Sequence, residues 1–285
     1  MGNEHGMGRY VRPTALTEAV AALAAGDLTV IAGGTDFYPA RVGKPLDDDV
    51  LDISAIEELR GITDAGDHWR IGATTTWTDL IEAELPACFD GLKLAAREVG
   101  GMQIQNMGTI AGNICNASPA ADGVPPLLTL DARVELSGQA GVAELPLADF
   151  ITGNRRTRRG ADQLVTAVIV PKPADDSRGH FLKLGSRRYL VISIVMVAGV
   201  VALDARRRVA SARISVGSCS EVACRLFALE AKLVGQLIDN AIENTVAAAD
   251  LSALSPIDDC RGTAPYRRDA ARTLVRRLLE EAAAA

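Results

Sequence analysis

Two glycine-rich segments carry the residues whose types and spacing best suit the binding of a ligand. The first follows an aliphatic, β-branched stretch and has the sequence Gly33-Gly34-Thr35-Asp36. Consecutive glycines allow a tight turn with positive φ and let backbone N–H groups point into one concavity, which suits an anion such as a phosphate. The segment matches neither the GxGxxG nor the phosphate-loop pattern, so an ordinary turn in which Asp36 acts as a cap stays open.

The second segment, residues 107–122, is rich in Gly, Asn, Ser and Ala and carries Asp122 as its single charge. It fits neither the helical nor the strand period, and we expect an ordered, largely buried loop, a kind of segment that is usually functional. A loop whose Asn and Ser side chains only satisfy its own backbone is the alternative. Because both segments are short of Lys and Arg, together they favour a dinucleotide held mostly by backbone amides, with Gly33 and Gly112 leaving space for its diphosphate.

Residues for acid–base or nucleophilic chemistry are scarce. None of the three histidines, His5, His68 and His180, lies in a pattern typical of a nucleophile, and we expect His68 and His180 at the surface. The five cysteines are scattered, odd in number and without a CxxC motif, which argues against a disulfide framework and a zinc or iron–sulfur site. We therefore predict no catalytic residue and no metal site in this chain, so that any redox chemistry must come from a bound cofactor.

The composition indicates a two-domain globular protein with an aliphatic core. The chain has 285 residues, of which 48% are hydrophobic and only 4% aromatic, so the core must consist mainly of Ala, Val, Leu and Ile. A formal net charge of −6 gives no support to nucleic-acid binding. The longest apolar run, Val191–Leu203, is shorter than the roughly 20 residues of a membrane span. We expect a soluble protein of a reducing compartment, the cytoplasm.

Periodicity and breakers divide the chain at Pro171–Ser177, the best linker candidate. In the first half, helices are predicted from Pro13-Thr14 to a stop at Gly26 and over 76–81 and 91–99, and strands over 28–32, 50–53, 69–75, 133–136 and 164–170. In the second half, strands are predicted over 181–185, 192–204 and 209–216, and helices over 226–237, 240–254 and 264–281. Strands followed by helices indicate an α+β second domain of about 110 residues.

Short motifs follow one another along nearly the whole chain from Tyr10. They are Tyr10-Val11-Arg12-Pro13, Ala32-Gly33-Gly34-Thr35-Asp36, Ile71-Gly72-Ala73-Thr74-Thr75, Gly108-Thr109-Ile110-Ala111-Gly112-Asn113, Ser118-Pro119-Ala120-Ala121-Asp122, Lys183-Leu184-Gly185-Ser186-Arg187-Arg188 and Ala264-Pro265-Tyr266-Arg267-Arg268. Each motif is weak singly, but the ordered set is specific. It resembles the FAD-binding (medium) subunit of molybdenum hydroxylases, the family of xanthine dehydrogenase and carbon monoxide dehydrogenase.

The resemblance implies an α+β fold in two domains. After a flexible leader over residues 1–9, residues 10–174 would form a two-lobed FAD-binding domain of the PCMH or vanillyl-alcohol oxidase type. The break between its lobes would fall near 55–65. Residues 178–285 would form a C-terminal domain of an antiparallel sheet plus helices, of the carbon monoxide dehydrogenase flavoprotein type.

The resemblance also implies which residues contact FAD. The first glycine-rich segment would wrap the diphosphate and the second would face it, while an aromatic residue that stacks on the ring in eukaryotic relatives aligns with Val99. An aspartate, a strand residue before the linker and a lysine after it would line the flavin. The implied FAD-binding residues are Val30, Ile31, Ala32, Gly33, Gly34, Thr35, Asp36, Phe37, Val99, Thr109, Ile110, Ala111, Gly112, Asn113, Asp122, Val165 and Lys183.

The chain departs from the family pattern near several of these positions. Ala111 replaces one of two glycines in the second segment, Gln105 replaces a basic residue and Val99 an aromatic one. The acidic residue common around Tyr189–Ser193 is absent. The residue that stacks on the flavin and the terminal electron acceptor therefore stay open. Tyr189 is a candidate ring neighbour, and the shortage of aromatic residues predicts mostly aliphatic side chains around the ring.

The function that the resemblance implies is electron transfer within a multi-subunit complex. This chain would carry FAD and pass electrons from the [2Fe-2S] clusters of a small partner subunit to NAD⁺ or another acceptor. Molybdopterin and the oxidation of substrate would belong to a large partner subunit. Two alternatives stay open: a free-standing FAD oxidase of the vanillyl-alcohol oxidase type, and a non-catalytic nucleotide-binding scaffold.

Overall fold

The computed structural model describes residues 8–173, 176–238 and 240–284. The leader expected over residues 1–9 lies outside the described residues as far as Met7, and residues 174–175 of the expected linker do so too. Arg9 is bound to the first sheet, because its N–H donates to Asp49 Oδ1 at 2.7 Å and its carbonyl accepts from Val50 N at 2.7 Å. The described chain therefore starts against a strand.

The first half of the chain contains a small parallel sheet. Its strands, in the spatial order β1-β3-β2, are β1 (Tyr10–Val11), β3 (Val50–Asp52) and β2 (Thr29–Ile31). Helix α1 (Leu16–Ala25) covers the sheet through Ala19 and Leu23, which lie four residues apart on one buried face. Because the strands are parallel, the first glycine-rich segment leaves β2 at the carboxyl edge of the sheet, where open parallel sheets bind ligands.

A five-stranded antiparallel sheet forms the rest of this half. In the spatial order β4-β5-β10-β6-β7, its strands are β4 (Ile62–Asp64), β5 (His68–Gly72), β10 (Leu164–Pro171), β6 (Arg133–Gly138) and β7 (Gly141–Pro146). The central strand β10 is buried from Leu164 to Val170, which accounts for its unbroken apolar sequence. Around the sheet lie α2 (Trp77–Glu82), α3 (Asp90–Glu98), α6 (Val124–Thr129), α7 (Leu147–Phe150) and the hairpin of β8 (Ile151–Gly153) and β9 (Arg156–Thr157).

The segment between α3 and α6 is helical where a loop was expected. It contains α4 (Met102–Met107) and α5 (Ile110–Asn116). Thr109 caps α5, because its Oγ1 accepts from Gly112 N at 2.9 Å, and Ile110 and Ile114 bury one face of the helix. Glycine and asparagine lower the intrinsic helix propensity of this stretch. Burial of its apolar face decides the conformation instead, so the prediction of an irregular loop over 107–122 is wrong for 110–116.

The second half is a four-stranded antiparallel meander with three helices. In spatial order its strands are β11 (Arg178–Leu184), β12 (Val195–Leu203), β13 (Val209–Gly217) and β14 (Cys224–Arg225), and its helices are α8 (Phe227–Leu233), α9 (Asn240–Ala247) and α10 (Ala264–Ala284). Together they enclose a second hydrophobic core. The α+β class predicted from the order of strands and helices is confirmed. Within the described ranges, no helix is long and apolar enough to cross a membrane.

The two halves touch where two glycines leave no room for side chains. A Cβ on Gly179 would lie 2.3 Å from Cys88 O, and a Cβ on Gly91 would lie 2.8 Å from His180 O. Strand β11 is thereby held against the start of α3. His180 is only 7% exposed, so the prediction that it lies at the surface is wrong, whereas His68 is half-buried at the start of β5.

Arg225 joins the second half to the first through a network of hydrogen-bonded charges. Its guanidinium donates to Glu230 Oε1 at 2.6 Å and Oε2 at 2.7 Å, to Asp131 Oδ1 at 2.7 Å and to Leu128 O at 3.2 Å. Glu230 Oε1 also accepts from Ile214 N at 2.8 Å. Both Arg225 and Glu230 are nearly buried, so removal of one partner leaves the other charge without compensation.

We predict that Arg225→Met lowers the free energy of unfolding by about 3–5 kcal/mol, as expected for a buried ion pair that loses one partner. Urea unfolding followed by circular dichroism measures the change. The matched control is Arg156→Met, which breaks a pair with Glu221 whose side chains are 65% and 57% exposed, and should cost less than about 1 kcal/mol. Equal losses in the two variants would contradict the prediction.

We predict a loss of stability at acid pH that originates at His180. Burial, and to a smaller extent the positive charge of Arg178, lowers the pKa of His180 below its ordinary value. Its Nε2 has no hydrogen-bond partner among the described residues. Because the folded chain binds a proton at this residue less readily than the unfolded chain does, the fold keeps its full stability above the ordinary pKa of about 6.5. It loses part of that stability as the pH falls toward the folded-state pKa. Urea midpoints measured between pH 7.5 and 5 should therefore fall less steeply in His180→Met than in the wild type, and equal slopes in the two proteins would contradict the prediction.

Candidate functional site

A cleft of about 630 Å³ lies between the carboxyl edge of the parallel sheet and helix α5. This volume falls within the roughly 300–1,000 Å³ typical of sites for small molecules and cofactors. Both glycine-rich segments contribute to its wall. Of the residues predicted to bind the ligand, the wall contains Val30, Ile31, Ala32, Gly33, Gly34, Thr35, Asp36, Phe37, Val99, Thr109, Ala111, Gly112, Asn113 and Val165.

The two glycine-rich segments touch at Gly33. A Cβ built on Gly33 would lie 1.7 Å from the carbonyl oxygen of Met107 and 3.0 Å from the nitrogen of Gly108, so any side chain there would push the segments apart. This backbone contact is a reason for the glycine that the sequence did not indicate, and the expected space for a diphosphate stays a prediction. The missing side chain makes room for the neighbouring backbone and joins the sheet to the turn that precedes α5.

Gly34 and Gly112 also serve contacts within the protein. Gly34 has a φ of +66°, and a Cβ there would lie 2.6 Å from Cε2 of the Tyr38 ring. A Cβ on Gly112 would lie 2.8 Å from Thr109 Oγ1, the atom that caps α5. Substitution at either position would therefore disturb the turn or the cap, and the cleft wall consists of bare backbone at both.

The start of α5 is anchored to the segment that leads into α2. Thr76 and Thr109 form an isolated antiparallel bridge, Ile110 N donates to Thr75 O at 3.2 Å, and Trp77 N donates to Gly108 O at 3.1 Å. Ile110 is fully buried in the core and, although predicted as a binding residue, does not line the cleft. These bonds hold the beginning of the helix at a defined distance from the glycine turn.

The groups on the cleft wall fit a dinucleotide. The glycine turn offers bare backbone, and Asp36 adds an acceptor. Asn113 Oδ1 is buried without a hydrogen-bond partner among the described residues, and a buried amide oxygen of this kind is costly unless a donor reaches it. Val99 and Val165 supply aliphatic walls for a ring, whereas Tyr189 is 58% exposed and does not line the cleft.

Sequence reasoning missed three arginines on the cleft wall, Arg41, Arg155 and Arg159. The guanidinium of Arg155 donates to Asn116 Oδ1, and Asn116 Nδ2 donates to Asp36 Oδ2 at 2.5 Å. Arg155 lies 39 residues beyond Asn116 in the sequence, so no local pattern connects the two. The glycine-rich segments are short of basic residues, as predicted, but the cleft that they form is not.

Asp122 and Lys183, both predicted to contact the ligand, lie outside the cleft wall. Lys183 Nζ is 2.6 Å from Asp122 Oδ2, and the two side chains are 6% and 9% exposed. Ser193, which sequence reasoning missed, donates its hydroxyl to Asp122 Oδ1 at 2.6 Å. Burial raises the pKa of Asp122, and Lys183 and Ser193 counteract part of that rise. Lys183 Nζ also lies 3.4 Å from Glu98 O, which places the pair behind Val99.

Cys115 faces the cleft without being a reactive thiol. Part of its surface is exposed, yet the crowded cleft wall raises the pKa of the thiol to about 12 through burial. A thiol with so high a pKa stays protonated at neutral pH and is a weak nucleophile. Nowhere in the described ranges are three or more His, Cys, Asp or Glu residues placed together to hold a metal ion.

Comparison with known families assigns both halves of the chain. Residues 5–173, more than half of the chain, match the family described as the FAD binding domain in molybdopterin dehydrogenase. The chain belongs to this family. Residues 180–282 match the carbon monoxide dehydrogenase flavoprotein C-terminal domain. The predicted cofactor FAD, the flavoprotein oxidoreductase class and the fold of a two-lobed FAD domain followed by a sheet-plus-helices domain are confirmed.

Individual relatives agree with this family. A nicotinate dehydrogenase FAD-subunit of Eubacterium barkeri is 37% identical over 186 residues, which span 61% of each chain. A carbon monoxide dehydrogenase medium chain of Afipia carboxidovorans is 31% identical and aligns with 96% of each chain. Among solved structures, carbon monoxide dehydrogenase from Oligotropha carboxidovorans is similar with a TM-score of 0.90 at 29% identity, over 98% of each chain. This chain is therefore an FAD-binding subunit of the molybdenum hydroxylase family.

We predict that Gly33→Ala abolishes the retention of FAD, because the added methyl group separates the two walls of the cleft. Overpacking of this kind also costs about 1–3 kcal/mol of stability. The ratio of flavin to protein absorbance after purification and the urea midpoint measure the two effects. Gly26→Ala is the matched control, since a Cβ there would meet its nearest atom at 3.5 Å. Wild-type FAD content in Gly33→Ala would show that the close approach does not matter for the cleft.

Proposed function

We propose that this chain is the electron-transfer subunit of a molybdenum hydroxylase complex and that its FAD lies extended along the cleft. The observation that supports the proposal is the convergence of both glycine-rich segments on one cleft of suitable volume. Bound FAD supplies the redox chemistry, because flavins exchange electrons in pairs or one at a time. The protein contributes binding, orientation and electrostatics.

In this proposal the diphosphate lies between the Gly33-Gly34 turn and the start of α5. The bare backbone at both places allows a close approach, and Asn113 lies on the same wall. The flavin ring lies against Val99 and Val165. Aliphatic contact on the ring agrees with the shortage of aromatic residues in the chain.

We place the Asp122 and Lys183 pair behind the ring end of the cleft rather than in direct contact with the cofactor. Lys183 also reaches the carbonyl of Glu98, the residue before Val99, so the neutral pair supports the backbone at this end of the cleft. Ser193 holds the Asp122 carboxylate in place. The pair also links the two halves of the chain, since Asp122 precedes the linker and Lys183 follows it.

The chemistry of the cleft wall supports a subunit that relays electrons and leaves substrate oxidation to another chain. Its thiol, Cys115, is held protonated, and Asp36 is engaged by Asn116. Among the residues that the structure describes, no histidine lines the wall for general acid–base catalysis. Electrons would enter from a [2Fe-2S] partner subunit next to a molybdopterin-containing large subunit, and would leave to NAD⁺ or another acceptor. All five cysteines are free, which supports a reducing compartment, and we propose the cytoplasm.

We predict that the chain purified alone carries FAD but neither molybdenum nor iron. Co-expression with its partner subunits should yield a complex that contains both metals and whose flavin absorbance bleaches when a substrate of the complex is added. Metal analysis and anaerobic absorbance spectra measure these outcomes. Turnover of a substrate by the lone chain would instead indicate a free-standing oxidase, and a colourless chain that takes up no FAD would indicate a scaffold.

A further inference from the structure

Three guanidinium groups lie on the cleft wall, and they differ in how their charge is compensated. Arg41 is paired with Asp48, whose carboxylate accepts from Nε at 2.5 Å and from Nη2 at 2.6 Å. Its guanidinium also lies 3.7 Å from the centre of the Phe37 ring. Arg41 is therefore neutralised within the protein and serves to hold the end of the first glycine-rich segment.

Arg159 has no such counter-charge. It is half-buried, and its Nη1 donates to two carbonyl oxygens, Gly160 O at 3.1 Å and Gln163 O at 2.8 Å. No carboxylate lies within 4 Å of its guanidinium in the part of the chain that the structure describes. A cation withdrawn from water without a counter-charge is unfavourable, so this position favours an anion in the cleft.

Arg155 is directed to the same wall by an unusual backbone conformation. Its φ of +54° lies in the left-handed region, which non-glycine residues seldom adopt, and its N–H donates to Ala117 O at 2.9 Å. The guanidinium donates to the neutral amide of Asn116, which separates it from the carboxylate of Asp36. Arg155 thus also has no carboxylate partner among the described residues.

The wall that these two arginines share with α5 places them within reach of the proposed diphosphate. Helix α5 has seven residues and is therefore about 10 Å long. Gly112 lies near the start of the helix, and Cys115 and Asn116 lie near its end; all three residues line the cleft. Arg155 donates to Asn116, and the charge of Arg159 acts on the Cys115 thiol. Guanidinium groups bind phosphate oxygens through paired, charge-assisted hydrogen bonds.

We propose that Arg155 and Arg159 neutralise the diphosphate of FAD, so that the cofactor is held by side-chain charge as well as by backbone amides. This inference rests on the proposed position of FAD in the cleft. It assigns a binding role to the segment that follows β8, which carries no glycine-rich motif. It also accounts for a positive charge that has no counter-charge within the described protein.

The test measures FAD and riboflavin binding to apo-protein by quenching of flavin fluorescence, at low and at high salt. Arg159→Met and Arg155→Met should each weaken FAD binding by about tenfold to hundredfold, the effect of one charge-assisted hydrogen bond. Their affinity for FAD should also depend less on salt than that of the wild type, because one ion pair has been removed. Riboflavin lacks the diphosphate, so its affinity should not change. Arg159→Lys should recover part of the FAD affinity.

Arg158→Met is the matched control, because Arg158 is exposed in the same segment and does not line the cleft. It should bind FAD as the wild type does. Wild-type FAD affinity in Arg159→Met and Arg155→Met would overturn the inference, and so would an equal loss of FAD and riboflavin, which would indicate a structural role. A wild-type apo-protein that binds no FAD would overturn the proposed function itself, and the two failures are therefore distinguishable.

Discussion

The backbone contact between Gly33 and Met107 defines the cleft in which we propose that FAD binds. It brings the carboxyl edge of the parallel sheet against the turn before α5, at a distance that leaves no volume for a methyl group. The cap at Thr109 and the bridge from Thr109 to Thr76 then fix where α5 starts. The cleft is the gap that these short-range contacts leave between the parallel sheet and α5, so contacts within the chain set its shape.

Charge is distributed around this cleft in three different ways. Arg41 is neutralised by Asp48, Lys183 by the buried Asp122, and Arg155 and Arg159 by no carboxylate among the described residues. We propose that the last arrangement is completed by an anion from outside the described protein, the diphosphate of FAD. The Lys183 pair joins the halves of the chain, as the network around Arg225 does, and these polar contacts add to the close packing of α3 against β11 at Gly91 and Gly179.

The relatives of this chain are named for different reactions, which include the oxidation of nicotinate and of carbon monoxide. A cleft built from bare backbone, aliphatic side chains and guanidinium groups suits a phosphate-containing cofactor and makes no reference to any substrate. In the proposed function such a subunit could serve several reactions with little change, because substrate specificity would lie with a partner chain. The cleft in this chain contains those general groups and a thiol that is held protonated.

The sequence by itself determined the α+β class and located the glycine-rich segments at 30–37 and 109–113 that meet in the cleft, because local propensity and motif order contain this information; the division of the chain near Pro171 stays a prediction. It could not reveal that α5 is a helix, since Gly112 and its asparagines disfavour the helix that tertiary burial imposes. Nor could it place Arg155 beside Asn116 or bury His180, because these contacts join residues far apart in the chain. Only the tertiary structure decided that Gly33 makes room for the backbone of Met107. Only the tertiary structure, too, places the positive charges of Arg155 and Arg159 beside two glycine-rich segments that contain few charged residues.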